Sequence, residues 1–436
     1  MEESMVKRAI TLGGGGPAAG LHIGVLEALA NADITFDVWA LSCIGAWVGI
    51  VYNQFDKVEN KDRAEKTYQF FKNGVFRDDE GYKRFPINTV FGPDWESIGK
   101  ALTHFVTDSN TYKDLWDPQG MLNAARESMS FWYPDTEDGK KLTNLDRGDI
   151  NRWVLNQVLA PNPFVRYVTS MMYLSNVTGL SRINYPDSQF MKSIDFKELQ
   201  KPGKPFIFHN AWNLDKHKLA LFSNREMPRK AEEKANTKEY KVPISASSLC
   251  ACSALPFIEE TVEIDKVTYC EGALVDTVNF ESLLQEHNPP EDPLDEIWVS
   301  RIVDSKQVRK PKNLHDALAN LCQLFAATVG EDDVRLFKYH VRYDKPESGK
   351  KRWEGTIVEI HVPGHISFKW NHSNLDAGRE LGKVAAEQAI KAYGDHGKLP
   401  PHAGPHFVNE KPAKDDPKGW GEVQDTYEEC QKRAAA

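Results

Sequence analysis

No apolar run in these 436 residues is long enough to cross a bilayer, so a transmembrane helix is not expected. The first sixteen residues, MEESMVKRAITLGGGG, lack the apolar core of a secretory leader and pass at once into a strand signal. Cysteine is scarce. Six cysteines in this length make no disulfide framework, and Cys250 and Cys252 form a C-x-C pair with no matching cluster of His or Cys for zinc. Basic charge is not in excess: 54 Lys and Arg stand against 63 Asp and Glu, and a net charge of −9 speaks against a nucleic-acid partner. No internal repeat is present. The glycine run Gly13–Gly16 is not a P-loop, because no Lys-Ser/Thr follows it, and it fits G-x-G-x-x-G poorly. No metal or organic cofactor is therefore expected, and a reduced, cytoplasmic setting is the simplest expectation.

What is present is alternation. Arg8–Leu12 reads as a first strand, a glycine loop follows, and Gly24–Ala30 lies in a first helix. The run "FDVWA" (Phe36–Ala40) reads as a second buried strand, and "GAWVGIVYNQF" carries apolar residues at helical spacing. Strand and helix in turn imply a mostly parallel sheet with helices on both faces, an α/β fold. Strand signals return at Phe206–Asn210 and Leu219–Ser223, a hairpin around "DKHK". A small-residue helix, "ISASSLCACSALPF", then ends at Pro256. Further strands lie in "VTYCEGALVDTVNF", "DEIWVSRIV" and "GTIVEIHVP", and helical periodicity in "NLHDALANLCQLFAATVGEDDVRLFKYH" and "DAGRELGKVAAEQAIKAYG". The expected organisation is a core of residues 1–64 and 166–396, with 290–396 as its C-terminal part. An aromatic and charged helical insertion runs over 65–165, and a proline-rich polar tail over 397–436.

Three segments carry chemistry. Consecutive glycines let the backbone turn several N–H groups into one concavity, where Gly14, Gly15 and Gly16 could hold an oxyanion. In "LSCIGA", Cys43 falls at a turn between strand and helix, with Gly45 allowing the close backbone crossing. By itself this frame admits two readings, a nucleophile at a helix N-terminus or a small buried thiol at a strand end. In "YCEGALVD", Glu271 follows a strand, as a general base or as a solvated acid at a turn. His22, close after the glycine loop, reads as a satisfied core or loop-facing histidine.

Taken in order, these segments resemble the patatin-like phospholipase family. "GGGPAAGLHIGVLEAL" is similar to its oxyanion loop and following helix, and "LSCIGA" to its G-x-S-x-G elbow. "CSALPFIEE" is similar to its small-residue segment, and "EGALVDTVNF" to its aspartate turn. The chain departs from the pattern at four positions. Leu41 replaces the first elbow glycine, Cys43 the serine, and Glu271 the aspartate, while Ala18 stands where the family often has a basic residue. The resemblance implies a three-layer patatin-like fold and an acyl hydrolase without metal or cofactor. Cys43 and Glu271 would form its dyad, and the amides of Gly14–Gly16 its oxyanion hole. It also implies an acyl ester substrate: a lipid or, by analogy with cysteine-box polyester enzymes, a hydroxyacyl polyester or thioester. That substrate would be met at a peripheral membrane or lipid-granule surface, and a homo-oligomer is compatible with the aromatic insertion. A scaffold or regulator without catalysis is the other reading of the thiol.

A Cys–Glu pair is chemically reasonable. A thiol has a free pKa of about 8.5 and a strongly nucleophilic thiolate. A neighbouring carboxylate disfavours that thiolate, so a neutral Cys–Glu pair is expected, with a proton passing between the two on attack. The insertion's aromatics, Phe70, Phe71, Phe76, Phe85, Phe91, Trp95, Trp116, Phe131, Trp132 and Tyr133, need burial, in a lid over the site or at an interface.

Overall fold

The computed structural model describes residues 6–55, 60–86, 88, 90–92, 95–109, 122, 154, 179–183, 188–228, 237–301, 308, 310–343, 353–362, 366–396 and 405–410. Of the insertion's aromatics, Trp116, Phe131, Trp132 and Tyr133 lie outside these residues. The described chain falls into two compact units, one of residues 1–92 and 181–436 and the other of Pro93–Leu180.

The first unit is built on a mixed, mostly parallel sheet. Its central strands are β1 (Arg8–Leu12) and β2 (Val38–Leu41), which pair in parallel. On the far side of β1 lie β11 (Glu296–Arg301), β12 (Thr356–His361) and β13 (His406–Val408), all parallel. Beyond β2 lies β5 (Phe206–Asn213), which pairs in parallel with β2 through Phe206–His209. Past that point the same strand pairs antiparallel with β10 (Val267–Glu271) through Ala211–Asn213, and β10 continues to β9 (Val262–Ile264). The expected hairpin is present: β5 and β6 (Lys218–Ser223) pair antiparallel, and β7 (Lys238–Lys241) extends them. A small sheet orders β3 (Phe91–Gly92), β4 (Gly179–Ile183) and β8 (Phe257–Glu259).

Period-two alternation sorts the buried side chains into two layers. From β1, Ile10 and Leu12 join one cluster, while Ala9 joins the other. The first cluster takes in the buried faces of α1 (Ala19–Asn31), α2 (Ile44–Gln54) and the C-terminal helix His372–His396. The second takes in Phe280 and Leu283 from helix Phe280–Glu286, with Val334, Phe337 and Val341 from the long helix Leu314–Tyr343. Helices thus cover both faces. Neither α1 nor α2 has a strong amphipathic stripe, because both are buried almost all round. At the closest approach of α1 to the C-terminal helix, a Cβ on Gly24 would overlap the Arg379 carbonyl and one on Gly382 the Leu21 carbonyl.

Two boundaries differ from the sequence-based expectation. Helix Asn60–Gly74, the start of the expected insertion, contributes Ala64, Tyr68 and Phe71 to the first core cluster. Val75 and Phe76 follow it there. These apolar residues at helical spacing lie within a strongly charged helix, so composition set the insertion too early. The second unit begins at Pro93, and its helix Trp95–Thr107 buries Ala101 and Phe105. In the expected tail, His406–Val408 forms an edge strand on β12. Three residues are too few to show a period.

Candidate active site

β2 ends at Leu41 and α2 begins at Ile44, so two residues make the whole turn. Cys43 sits there with φ 49° and ψ −125°, a backbone conformation that L-residues other than glycine rarely adopt. The turn is held at both sides. The Ser42 amide donates to the Leu12 carbonyl at 3.0 Å, and Gly45 lies so close to Leu12 that a Cβ there would overlap the same carbonyl. The glycine in "CIG" is therefore required by strand-to-helix packing.

Glu271 closes β10, its amide donating to the Ala254 carbonyl at 2.9 Å, and a 3-10 turn of Gly272–Leu274 follows. A Cβ on Gly272 would stand 2.8 Å from the Ala211 amide nitrogen, so this glycine lets the turn lie against β5. The carboxylate is buried, which removes the reading of a solvated acid. The Cys43 thiol and the Glu271 carboxyl line the same cavity, close enough for the carboxylate's charge to act on the thiol. Gly14 abuts both: a Cβ on it would lie 3.1 Å from the Cys43 Cβ and 3.6 Å from the Glu271 Oε1. Among the described residues, the amides of Gly14, Gly15 and Gly16 have no hydrogen-bond acceptor.

Burial pushes the Cys43 thiol well above its ordinary range, and the neighbouring Glu271 carboxylate pushes it further. Burial also pushes the Glu271 carboxyl up, to about 7, while the neighbouring Cys43 thiol pulls it back. The resting pair near neutrality is thus an un-ionised thiol beside a carboxyl that titrates in the physiological range. The Ile44 amide, first in α2, acts the other way on Cys43 and favours the anion.

The site opens on a cavity of about 120 Å³. Gly14, Gly15, Gly16, Cys43 and Glu271 line it together with apolar side chains that include Trp47, Leu255, Ile258, Phe325 and Phe368. Of the stretch 65–165, Asn88 is the lining residue among those described. No cluster of His, Cys, Asp and Glu suited to a metal ion is present among the described residues.

Sequence reasoning missed the parts behind the dyad. Ser42 Oγ donates to Asn210 Oδ1 at 3.2 Å and accepts from Asn279 Nδ2 at 3.0 Å. Asn210 Nδ2 in turn donates to the Asp276 carbonyl at 2.6 Å. This buried network ties the elbow to the turn that carries Glu271. Asn279, at φ 59°, has the left-handed conformation that asparagine tolerates, and an Asp-x-x-Asn spacing was the one available signal. Cys252 was also missed as a site residue: its sulfur accepts from the Cys43 amide at 3.1 Å. Glu259, a second buried carboxyl, lines the same cavity, and burial raises it to about 8. His22 is fully buried, as expected of a satisfied histidine.

Comparison with known proteins agrees with this architecture. The sequence profile of the patatin-like phospholipase family matches residues 10–284. The chain belongs to that family, whose members are lipid acyl hydrolases. No curated protein sequence matches it. Among solved structures it is similar to VipD from Legionella pneumophila, at 8% identity and a TM-score of 0.33, covering 88% of this chain and 67% of that one. It is also similar to human GIVD cytosolic phospholipase A2, at 11% identity and a TM-score of 0.26, covering 99% of this chain and 61% of that one.

Proposed function

We propose that this chain is an acyl hydrolase that attacks a lipid acyl ester with the Cys43 thiol. The reading is supported above all by the placement of Cys43 at a strained turn beside the buried Glu271 carboxyl, with Gly14 against both side chains. In the first half-reaction, the thiol proton passes to the Glu271 carboxylate as the sulfur attacks the ester carbonyl carbon. The carbonyl oxygen becomes an oxyanion facing the free amides of Gly14–Gly16. Collapse of the tetrahedral species expels the alkoxide, which takes the proton from Glu271, and leaves a thioester on Cys43. Water then attacks that thioester and gives its proton to Glu271. The departing thiolate recovers the proton and the fatty acid leaves. A carboxyl near pH 7 suits this work, since a base is most effective when its pKa lies close to the working pH. The apolar wall accepts an acyl chain without a charged partner.

Intact-mass spectrometry after incubation with a p-nitrophenyl acyl ester tests the reading. The expected result is a single adduct of the acyl mass, mapped to Cys43 and absent in Cys43→Ala. Release of p-nitrophenol by Cys43→Ala at the wild-type rate would place the chemistry elsewhere. Absence of any adduct or turnover in the wild type would favour the scaffold reading.

A further inference from the structure

His22 is fully buried on α1 and takes no part in the reaction as written, yet both of its ring nitrogens are engaged. Nε2 lies 2.9 Å from the carbonyl oxygen of Gly13, and Nδ1 lies 3.0 Å from Ser300 Oγ on β11. The Gly13 oxygen can only accept, so Nε2 must carry the proton. A neutral imidazole then leaves Nδ1 as acceptor for the Ser300 hydroxyl. Burial holds the ring neutral by lowering its pKa to about 4, so one tautomer is set at any ordinary pH.

We infer that His22 is a positioning residue: by holding the Gly13 carbonyl it sets the direction of the Gly14 amide, one of the donors to the oxyanion. The argument is one of peptide geometry. The C=O of Gly13 and the N–H of Gly14 share a planar trans unit and point in opposite directions. With the carbonyl fixed toward His22, the amide is turned away from α1. Gly14 adjoins the dyad: a Cβ on it would meet the Cys43 Cβ, the Ala273 Cβ and the Glu271 Oε1. A run of four glycines has little preference of its own for this arrangement, because each can rotate freely. An external clamp is what such a loop needs to remain preorganised. Gly14 has no side chain with which to fix itself, and a Cβ would crowd Cys43. The clamp sits on two rigid elements, since α1 follows the loop directly and β11 pairs with β1 through Leu12 and Ser300.

This inference deepens the proposed reading and rests on it, so the test separates the two. His22→Phe keeps the ring volume and removes the donor, while His22→Gln keeps a donor at similar reach. Each is compared with wild type in two reactions of Cys43: alkylation by iodoacetamide, which forms no oxyanion, and acylation by a p-nitrophenyl ester, which does. The expected result is a loss of acylation of about 100-fold in His22→Phe, the scale of one lost oxyanion donor. It should appear in kcat rather than KM, with alkylation changed less than about threefold and substantial recovery in His22→Gln. Equal losses in both reactions, or none in acylation, would overturn the positioning role. If wild-type Cys43 is alkylated but not acylated, the reading as an acyl hydrolase fails. The clamp is then judged by crystallography of His22→Phe or, should that variant not fold, of Ser300→Ala and His22→Gln. A Gly13 carbonyl that turns in His22→Phe, or one that keeps its direction only where a donor remains, supports the clamp. The wild-type direction in a variant with no donor overturns it.

Discussion

Cys43 and Glu271 stand at the ends of β2 and β10, two strands that pair with successive halves of β5, and their turns hold them by different means. At Cys43 the backbone carries the unfavourable contribution, with φ 49° on a residue that has a Cβ, and the side chain is small. At Glu271 the backbone is ordinary, at φ −57° and ψ 123°, and the side chain carries the unfavourable contribution, a carboxyl out of water. The first kind of cost is met by steric fit, chiefly the space that Gly45 leaves beside Leu12. The second is met by the pair's freedom to hold its proton. Substitutions at the elbow should therefore register first in stability, and those at the acid turn first in pH dependence.

Glu271→Gln gives the largest effect on rate. It removes the proton acceptor and leaves the shape, so turnover of an activated ester should fall by about 10²–10⁴-fold, the usual contribution of a general base. The pH dependence follows from the direction in which burial moves the carboxyl. Raised to about 7, it must be ionised to accept a proton, so wild-type activity should decline as pH falls through the region near 7 and level off above it. This limb belongs to the coupled Cys43–Glu271 pair. A pH–rate profile whose acid limb survives in Glu271→Gln would assign it to another group.

Gly45→Ala tests the steric side. The added Cβ would overlap the Leu12 carbonyl, a backbone atom that cannot turn aside. The expected loss is about 2–4 kcal/mol of unfolding free energy in denaturant titration, from overpacking. A folded variant of wild-type stability would show that the elbow can relax, and that its strain is not needed to present the thiol. Asn279→Ala comes next, at about 1–3 kcal/mol, because it leaves Ser42 and Asn210 short of a buried partner and puts alanine at φ 59°. If the two turns are coupled through this network, the variant should also slow acylation. Lost stability with unchanged acylation would mean that each turn stands alone.

The sequence showed the elbow, the acid turn and the glycine loop because each is short and local, with glycines whose spacing follows from backbone contact. The α/β order was legible for the same reason, strand and helix periods being visible over short stretches. The network of Ser42, Asn210 and Asn279 was not, since its members lie 168 and 69 positions apart and carry no pattern. Cys252 touches the Cys43 amide across 209 positions, and no local signal marks one buried thiol among several. Helix Asn60–Gly74 misled through composition, its charged face hiding four core residues, Ala64, Tyr68, Phe71 and the partly buried Phe70.

Glu259 extends the comparison to a carboxyl that lines the cavity but lies outside the dyad. Burial raises it to about 8, against an ordinary value near 4.5, and outweighs the opposing pull of the nearby Ser181 hydroxyl. The Glu259 Oε2 is buried without a hydrogen-bond partner among the described residues, which suits a protonated acid better than an anion. The sign of the linkage follows. A carboxyl whose pKa is higher in the folded state binds more protons folded than unfolded between about 4.5 and 8. Its contribution to stability is present in full below that window and is lost as pH rises through it. Glutamine keeps the shape and cannot ionise. Glu259→Gln should therefore match wild type near pH 5 and exceed it in Tm by pH 9. A gap of about 1–2 kcal/mol is expected, since a tenfold change in proton affinity corresponds to about 1.4 kcal/mol and buried groups relax part of the difference. Thermal unfolding of both proteins across that range is the measurement. Parallel curves would mean that Glu259 ionises in place, with a charge the cavity tolerates, and the steric and electrostatic turns would then differ less than their geometry indicates.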